Sequence, residues 1–437
     1  MEENRNQETD FMKETIKQRP LNRKKLIRRT VITVAMAVIF GMVACFTFLL
    51  LEPIFSNSLY PEEEPSTIVF EEEIADEILP QDMIVEESQI NPQPTVAPVL
   101  EDEQIEQVLS EMQLGVEDYA SLYQGLSDIA REAQKSMVTV VGVTSDTDWF
   151  NNAYENEGVI SGVIVADNRI ELLILTNITS IEKAESFKVT FADSRTYDAA
   201  IKKKDENTGL AILAVRKALV NKNTINEIAI IEMGSSFSSN PGTPVIAIGQ
   251  PVGVSDSLCY GFITSSGSTL QLPDSAYKLI TTDMYGSENA TGILINLKGQ
   301  MIGMIDVENK KEDIKNIISA YGITELKKVV QNLSNGRDIA YMGIYGSDVT
   351  MEANEELGVP YGAYITKIDM DSPAMDAGIQ SGDIIVMMED LVVNSYKEFV
   401  SLLTEKQPED VINIRLLRQG PEGYSEMDLE VTLESKK

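Results

Sequence analysis

Residues 159–177 read VISGVIVADNRIELLILTN. Two short aliphatic runs, Val159 to Val165 and Leu172 to Leu175, flank an Asp-Asn turn. Apolar runs this short, bounded by turn formers, point to strands rather than helices. The same pattern extends in both directions. Met137 to Val143 precedes it. Phe187 to Phe191, Ala211 to Val215, Pro244 to Ile248, Cys259 to Ile263, Ile293 to Asn296 and Met301 to Ile305 follow. Many short strands separated by Gly, Asn and Asp predict an all-β barrel or sandwich.

Six of these segments resemble, in order, parts of the trypsin-like domain of HtrA/DegP serine proteases. Ser161-Gly162-Val163-Ile164 is similar to that family's GSGVII strand, and Leu175-Thr176-Asn177 to the LTN before its catalytic histidine. Leu210-Ala211-Ile212-Leu213 is similar to the strand that carries its aspartate, and Ala247-Ile248-Gly249-Gln250-Pro251 to its AIGNP turn. Thr282-Asp283 looks like the pair before the GNSGGPLVN nucleophile loop, and Gly303 fits the closing IG strand. The resemblance implies a mainly β fold with a trypsin-like double β-barrel.

At the catalytic positions the sequence departs from that pattern. The family histidine lands on Thr179 and the aspartate on Gly209. The nucleophile loop reads in two registers. Counting back from Ile293-Leu294-Ile295-Asn296 puts the serine at Ala290, and counting forward from Thr282-Asp283 puts it at Thr291-Gly292. The first is favoured because the following strand fixes the packing. Histidine is absent from all 437 residues, so no Ser-His-Asp triad, Cys-His pair or His-built zinc site can form within this chain. A serine or threonine hydroxyl is a poor nucleophile unless a base takes its proton. Glu288 stands where the resemblance places an oxyanion-hole glycine, and a carboxylate there opposes a developing oxyanion. Thr291 with a lysine base (Lys298, Lys310 or Lys311) is the alternative, against the plainer reading of those lysines as surface charge. No catalytic residue, metal or cofactor is expected.

Residues 341 to about 435 resemble a PDZ domain of the kind attached to HtrA proteases. The carriers are Tyr341-Met342-Gly343-Ile344, Gly362-Ala363-Tyr364-Ile365, Asp371-Ser372-Pro373-Ala374, Ala377-Gly378-Ile379 and Gly382-Asp383-Ile384-Ile385. Gly343 lets backbone amides approach a terminal carboxylate. Ser395 to Glu398 reads as a capping box opening a helix that continues through Phe399, Leu402 and Leu403. The resemblance implies peptide binding at Tyr341, Met342, Gly343, Ile344 and Phe399, with core packing the plainer role for Phe399 and Leu403. Between the modules, Ile323 to Leu333 reads as a helix ended by Ser334-Asn335-Gly336.

Upstream the composition changes. Val31 to Leu51 is uncharged and follows Lys13, Lys17, Arg19, Arg23, Lys24, Lys25, Arg28 and Arg29. This run is long enough to cross a hydrocarbon core of about 30 Å, and the basic cluster favours a cytoplasmic N-terminus. A cleaved signal peptide is the rival reading, disfavoured because the apolar run continues to Leu51. Cys45 lies within it, so a thiol in the membrane helix is preferred to a lipoprotein box, and no bridge to Cys259 is expected. From Val31 to Ala130 there is no Lys or Arg, while Glu62-Glu63-Glu64, Glu71-Glu72-Glu73, Glu86-Glu87 and Glu101-Asp102-Glu103 alternate with prolines. Self-repelling carboxylates and prolines predict a disordered spacer. Tyr119, Leu122, Tyr123, Leu126 and Ile129 then recur at helical spacing over 116–135.

The expected order is a basic tail over 1–30, a transmembrane helix over 31–51, an acidic stalk over 52–115, a trypsin-like domain over 116–335 and a PDZ domain over 338–435. The formal net charge of −33 argues against a nucleic-acid partner. The leading expectation is a membrane-anchored, extracytoplasmic pseudoprotease whose PDZ domain captures protein C-termini or unfolded polypeptides. The alternatives are an active trypsin-like endopeptidase with an unconventional site, and a structural subunit. From the resemblance, homo- or hetero-trimers are expected.

Overall fold

The computed structural model describes residues 23–59, 65–71, 115–147, 153–306 and 316–435. Lys13, Lys17 and Arg19, the carboxylate runs at 86–87 and 101–103, and Lys310 and Lys311 lie outside the described residues. The chain divides into two units, 1–64 and 65–437.

In the first unit, α1 (Arg23–Leu59) outruns the expected 31–51 span at both ends. Its apolar window, Thr30–Thr47, has a mean hydropathy of 2.3, and its length and composition suffice to cross a membrane. The hydroxyls of Thr30, Thr33 and Thr47 donate to the helix carbonyls of Ile27, Thr30 and Val43. Their polarity is thereby satisfied within the helix, as an apolar surrounding requires.

The second unit begins with a strap over 65–71, which has no regular secondary structure, followed by α2 (Val116–Gln134). The helix runs as expected, but its burial is confined to its C-terminal half, at Ala130 and Ala133. Tyr119, Leu122 and Tyr123 remain 60, 62 and 57% exposed, although their spacing suggested a buried face.

Two closed antiparallel barrels follow. The first contains β1 (Met137–Thr147), β2 (Ala153–Asp167), β3 (Glu171–Asn177), β4 (Ser186–Thr190), β5 (Thr196–Lys204) and β6 (Leu210–Arg216), in the order β1-β2-β3-β6-β5-β4. The second, after the short helix α3 (Lys222–Glu227), contains β7 (Pro244–Gln250), β8 (Ser257–Leu272), β9 (Ser275–Tyr285), β10 (Thr291–Ile295), β11 (Met301–Asp306) and β12 (Ile317–Gly322), in the order β10-β11-β12-β9-β8-β7. Three of these strands escape the hydrophobic reading. β5 carries Lys202-Lys203-Lys204 and has no buried position, so its pattern is polar. β9 and β12 mix Ser, Thr, Ala and Gly into their runs and lack a solid apolar block.

Each barrel has its own apolar filling, and a further cluster joins them with α2 and α4 (Ile323–Ser334). On α4, Leu326, Val329, Val330 and Leu333 are buried at helical spacing. Each such side chain contributes roughly 1.5–3 kcal/mol when fully removed from water. The strap lies against the same cluster through Ile68 and Phe70. Ile68 N–H donates to Asn335 Oδ1 at 2.9 Å and Phe70 N–H to Gln331 Oε1 at 2.9 Å. Composition alone assigns 66–71 to the spacer, because it registers the flanking glutamates and not the pairing of backbone amides with side-chain amides.

The C-terminal module has a six-stranded sheet of β14 (Ile344–Asp348), β15 (Ala363–Ile368), β16 (Ile384–Met388), β17 (Leu391–Val392), β18 (Val411–Gly420) and β19 (Gly423–Thr432). Outside it, β13 (Ala340–Tyr341) pairs with β20 (Glu434–Ser435). Helices α5 (Met351–Leu357), α6 (Pro373–Asp376) and α7 (Tyr396–Thr404) complete it. Ser395 caps α7 by accepting from Glu398 N–H at 3.1 Å, while the Glu398 carboxylate reaches back to Asn394 N–H at 2.7 Å. Arg418 anchors the C-terminal end of the β15–β16 connection, beyond α6. Its guanidinium donates to both Asp383 oxygens at 2.7 and 2.6 Å and to the Gly378 carbonyl at 2.9 Å.

Candidate functional site

The first barrel brings Thr179 and Gly209 together. Thr179 opens a 3₁₀ turn directly after β3, and its hydroxyl donates to Asn177 Oδ1 at 2.6 Å. Ile178 N–H donates to the Gly209 carbonyl at 2.9 Å, and Asn177 Nδ2 to the Thr208 carbonyl at 3.2 Å. Gly209 sits at φ 69°, and a Cβ there would stand 2.0 Å from Thr179 Oγ1. The loop has its own carboxylate, Asp205, which accepts from Thr208 Oγ1 at 2.6 Å and from Asn207 N–H at 3.1 Å. That carboxylate organises the turn.

Ala290 lies elsewhere. It is 0% exposed and packs in the filling of the second barrel with Met284 and Leu294. Thr291 is the residue that reaches the first barrel, since its Oγ1 accepts from Ser161 N–H at 2.9 Å across the junction. A buried methyl at 290 and a hydroxyl at 291 engaged by a backbone amide offer no general acid or base. Glu288 is exposed.

In the C-terminal module the backbone amides of Met342, Gly343 and Ile344 converge. Gly343 adopts φ 86°, and a Cβ there would come within 2.4 Å of Ser372 Cβ, so the position demands glycine. The three N–H groups form a concave nest for an anion. A carboxylate fills it. Asp274 Oδ2 accepts from Met342 N–H and Gly343 N–H, both at 2.7 Å, and Oδ1 accepts from Ile344 N–H at 3.0 Å. Asp274 N–H returns a bond of 2.7 Å to the Ile344 carbonyl. Asp274 is the second residue of the two-residue β8–β9 loop, at φ 56°, and 8% exposed. Asn207 Nδ2 donates to the Pro273 carbonyl at 3.3 Å, so the loop bearing Gly209 also touches this hairpin.

Tyr341 flanks the nest and donates its hydroxyl to Asp369 Oδ2 at 2.9 Å. Burial and the Asp369 carboxylate raise its phenol well above the ordinary tyrosine range. Phe399 takes the plainer role, being 0% exposed in the core and stacked on Tyr396. The walls of the groove are β14 and the side of α7 that carries Lys397, Val400 and Ser401, with the buried Tyr396 at its base. The groove opens into a cavity of about 520 Å³, whose opposite wall is built by Phe237 of the loop before β7, by Ala276 and Tyr277 of β9 and by α4. Sequence reasoning singled out Tyr341 to Ile344, whose amides from Met342 onward converge here, and did not single out Asp274, Tyr396 or Val400. The Pro273-Asp274 pair is a turn signal, but nothing in its spacing ties it to a loop about seventy residues away.

A trypsin-like peptidase domain model matches residues 160–304, and a PDZ domain model matches 340–433. The chain is HtrA-like, a trypsin-fold peptidase scaffold with a C-terminal PDZ domain. Among curated proteins, the probable periplasmic serine endoprotease DegP-like of Marinomonas sp. is 28% identical over 269 residues, 60% of this chain and 55% of that protein. The serine protease Do-like HtrA of Bacillus subtilis is 25% identical over 72% of each chain. The chain thus spans about half of the first relative. Among solved structures, the HtrA-type protease AlgW with decapeptide matches with a TM-score of 0.52 at 21% identity, over 71% of this chain and 98% of that one, and shows the shared fold.

Proposed function

We propose that this protein is a membrane-anchored, extracytoplasmic pseudoprotease that binds peptides. Its PDZ domain captures polypeptide C-termini, and its barrels serve as scaffold. The observation that carries the reading is the convergence of the Met342, Gly343 and Ile344 amides on one carboxylate. The lack of histidine, together with Thr179, Gly209 and the buried Ala290 at the triad positions, supports the absence of peptidase activity. The apolar window of α1 supports the anchor, and the periplasmic relatives support the compartment.

The test uses the full chain in detergent micelles, a fluorophosphonate probe, an unfolded protein substrate and a fluorescein-labelled decapeptide pool randomised at its last four residues. Binding of the free-acid pool, weaker binding of the carboxamide pool, and neither labelling nor cleavage is the expected result. Equal binding of both pools overturns the PDZ reading. A second reading, an active serine-type peptidase, is favoured by the names of the relatives. Cleavage abolished by Thr291→Ala would establish it and overturn the first.

A further inference from the structure

We propose that Asp274 is a built-in competitor for the PDZ carboxylate nest, so that the barrel hairpin holds the peptide site closed until an external C-terminus displaces it. The inference rests on the PDZ reading above and adds its regulation.

Four features support it. First, both oxygens of the Asp274 carboxylate are used, by three backbone N–H donors of the nest. Charge-assisted bonds of this length are stronger than neutral ones, and they saturate the seat that a terminal carboxylate would need. Second, the Asp274 amide bonds the Ile344 carbonyl on β14. One residue thus supplies both an acceptor to the nest and a donor to the adjoining strand, as the last residue of an extended ligand would. Third, the hairpin tip is shaped for this use. Pro273 fixes a negative φ and Asp274 takes φ 56°, a sequence of angles unlike the primed turns that two-residue hairpins prefer. Aspartate tolerates that region better than most residues, and its side chain is thereby presented outward to the nest. Fourth, Ala276, two residues on, packs against the PDZ core, so the hairpin is seated along the module as well as plugged into it.

Because barrel and PDZ domain share one chain, the internal carboxylate acts at high effective concentration. An external peptide therefore binds with its intrinsic affinity reduced by the fraction of molecules in which the nest is open. The cavity beside the groove has room for side chains of an arriving peptide, while the carboxylate seat is taken.

The experiment uses the full chain in micelles, as wild type, Asp274→Gly and Asp274→Asn. Glycine accepts the positive φ and removes the carboxylate, while asparagine keeps the turn and one acceptor. Hydrogen exchange is followed at Met342, Gly343 and Ile344, with β6 and β10 amides as folding controls, and the decapeptide pools are titrated in parallel. The expected result is exchange at the nest faster by about tenfold or more in Asp274→Gly, an intermediate rate in Asp274→Asn, and free-acid binding tighter by a similar factor. Unchanged nest exchange with intact barrel protection, or equal peptide affinity for wild type and Asp274→Gly, overturns the proposal and leaves the PDZ reading standing. Faster nest exchange without free-acid binding by any variant upholds Asp274 as occupant and overturns the PDZ reading. Loss of barrel protection in both variants assigns the hairpin a folding role and overturns the proposal.

Discussion

Asn335 grips Ile68 with both ends of its side-chain amide. Its Oδ1 accepts from Ile68 N–H at 2.9 Å, and its Nδ2 donates to the Ile68 carbonyl at 2.7 Å and to the Gln331 carbonyl at 2.9 Å. This is the pairing one strand offers another, supplied here by a side chain. Asn335→Ala should free the strap at a cost of about 1–3 kcal/mol. Amide exchange at Ile68 and Phe70 should rise while exchange in β10 stays unchanged. An unchanged Ile68 amide would contradict the prediction.

Arg418→Ala should damage the PDZ domain well beyond the worth of a surface ion pair. Asp383 is 1% exposed and accepts from Arg418 and from Gln380 N–H at 2.8 Å. Without the guanidinium its charge stays buried and undercompensated, which costs about 3–5 kcal/mol. Urea denaturation monitored at PDZ amides should record that loss. By contrast, Arg415→Ala breaks the exposed pair with Asp428, which water screens, and should leave the denaturation midpoint nearly unchanged.

Restoring the family triad should not restore activity. In Thr179→His, Gly209→Asp, Ala290→Ser, the new Cβ at 209 enters the space of the side chain at 179, and the new serine lies in the filling of the second barrel. The expected readout is no fluorophosphonate labelling. Gly209→Asp alone should cost about 1–3 kcal/mol in thermal denaturation.

Glu325 gives a pH signature. Withdrawal from water pushes its carboxyl above the ordinary range, opposed by a backbone hydrogen bond and by the nearby Lys397 and Lys278 charges. A raised folded value means that its favourable contribution is complete below the unfolded value of about 4.3 and is lost as pH rises through the folded one. Glu325→Gln should therefore stabilise the chain relative to wild type at pH 7, and that advantage should shrink toward pH 4. Melting temperatures across this range check the sign.

Much of the architecture was legible because aliphatic runs such as Ile160 to Val165 and Leu172 to Leu175 are buried strands with no other plausible fate. The nest was legible because its glycine needs a conformation few residues adopt. Phe399 could be read both as a groove residue and as core, because periodicity marks a helix position as apolar without naming its neighbours; its full burial against Tyr396 makes it core. Asp274 was invisible for a different reason. It is a polar residue in a turn, and its meaning resides in a contact made across domains.

Barrel closure has a consequence for how copies of this protein meet. Among the described residues, both barrels close on themselves, so the open rims of the large PDZ sheet are β14 and β19. The β14 rim already has the hairpin against it at Ile344. The β19 rim carries exposed Glu426, Asp428 and Glu430 at alternate positions. Two such rims brought together would set carboxylate against carboxylate, which guards against fibre-like growth. A strongly acidic chain can in this way keep its sheets to itself.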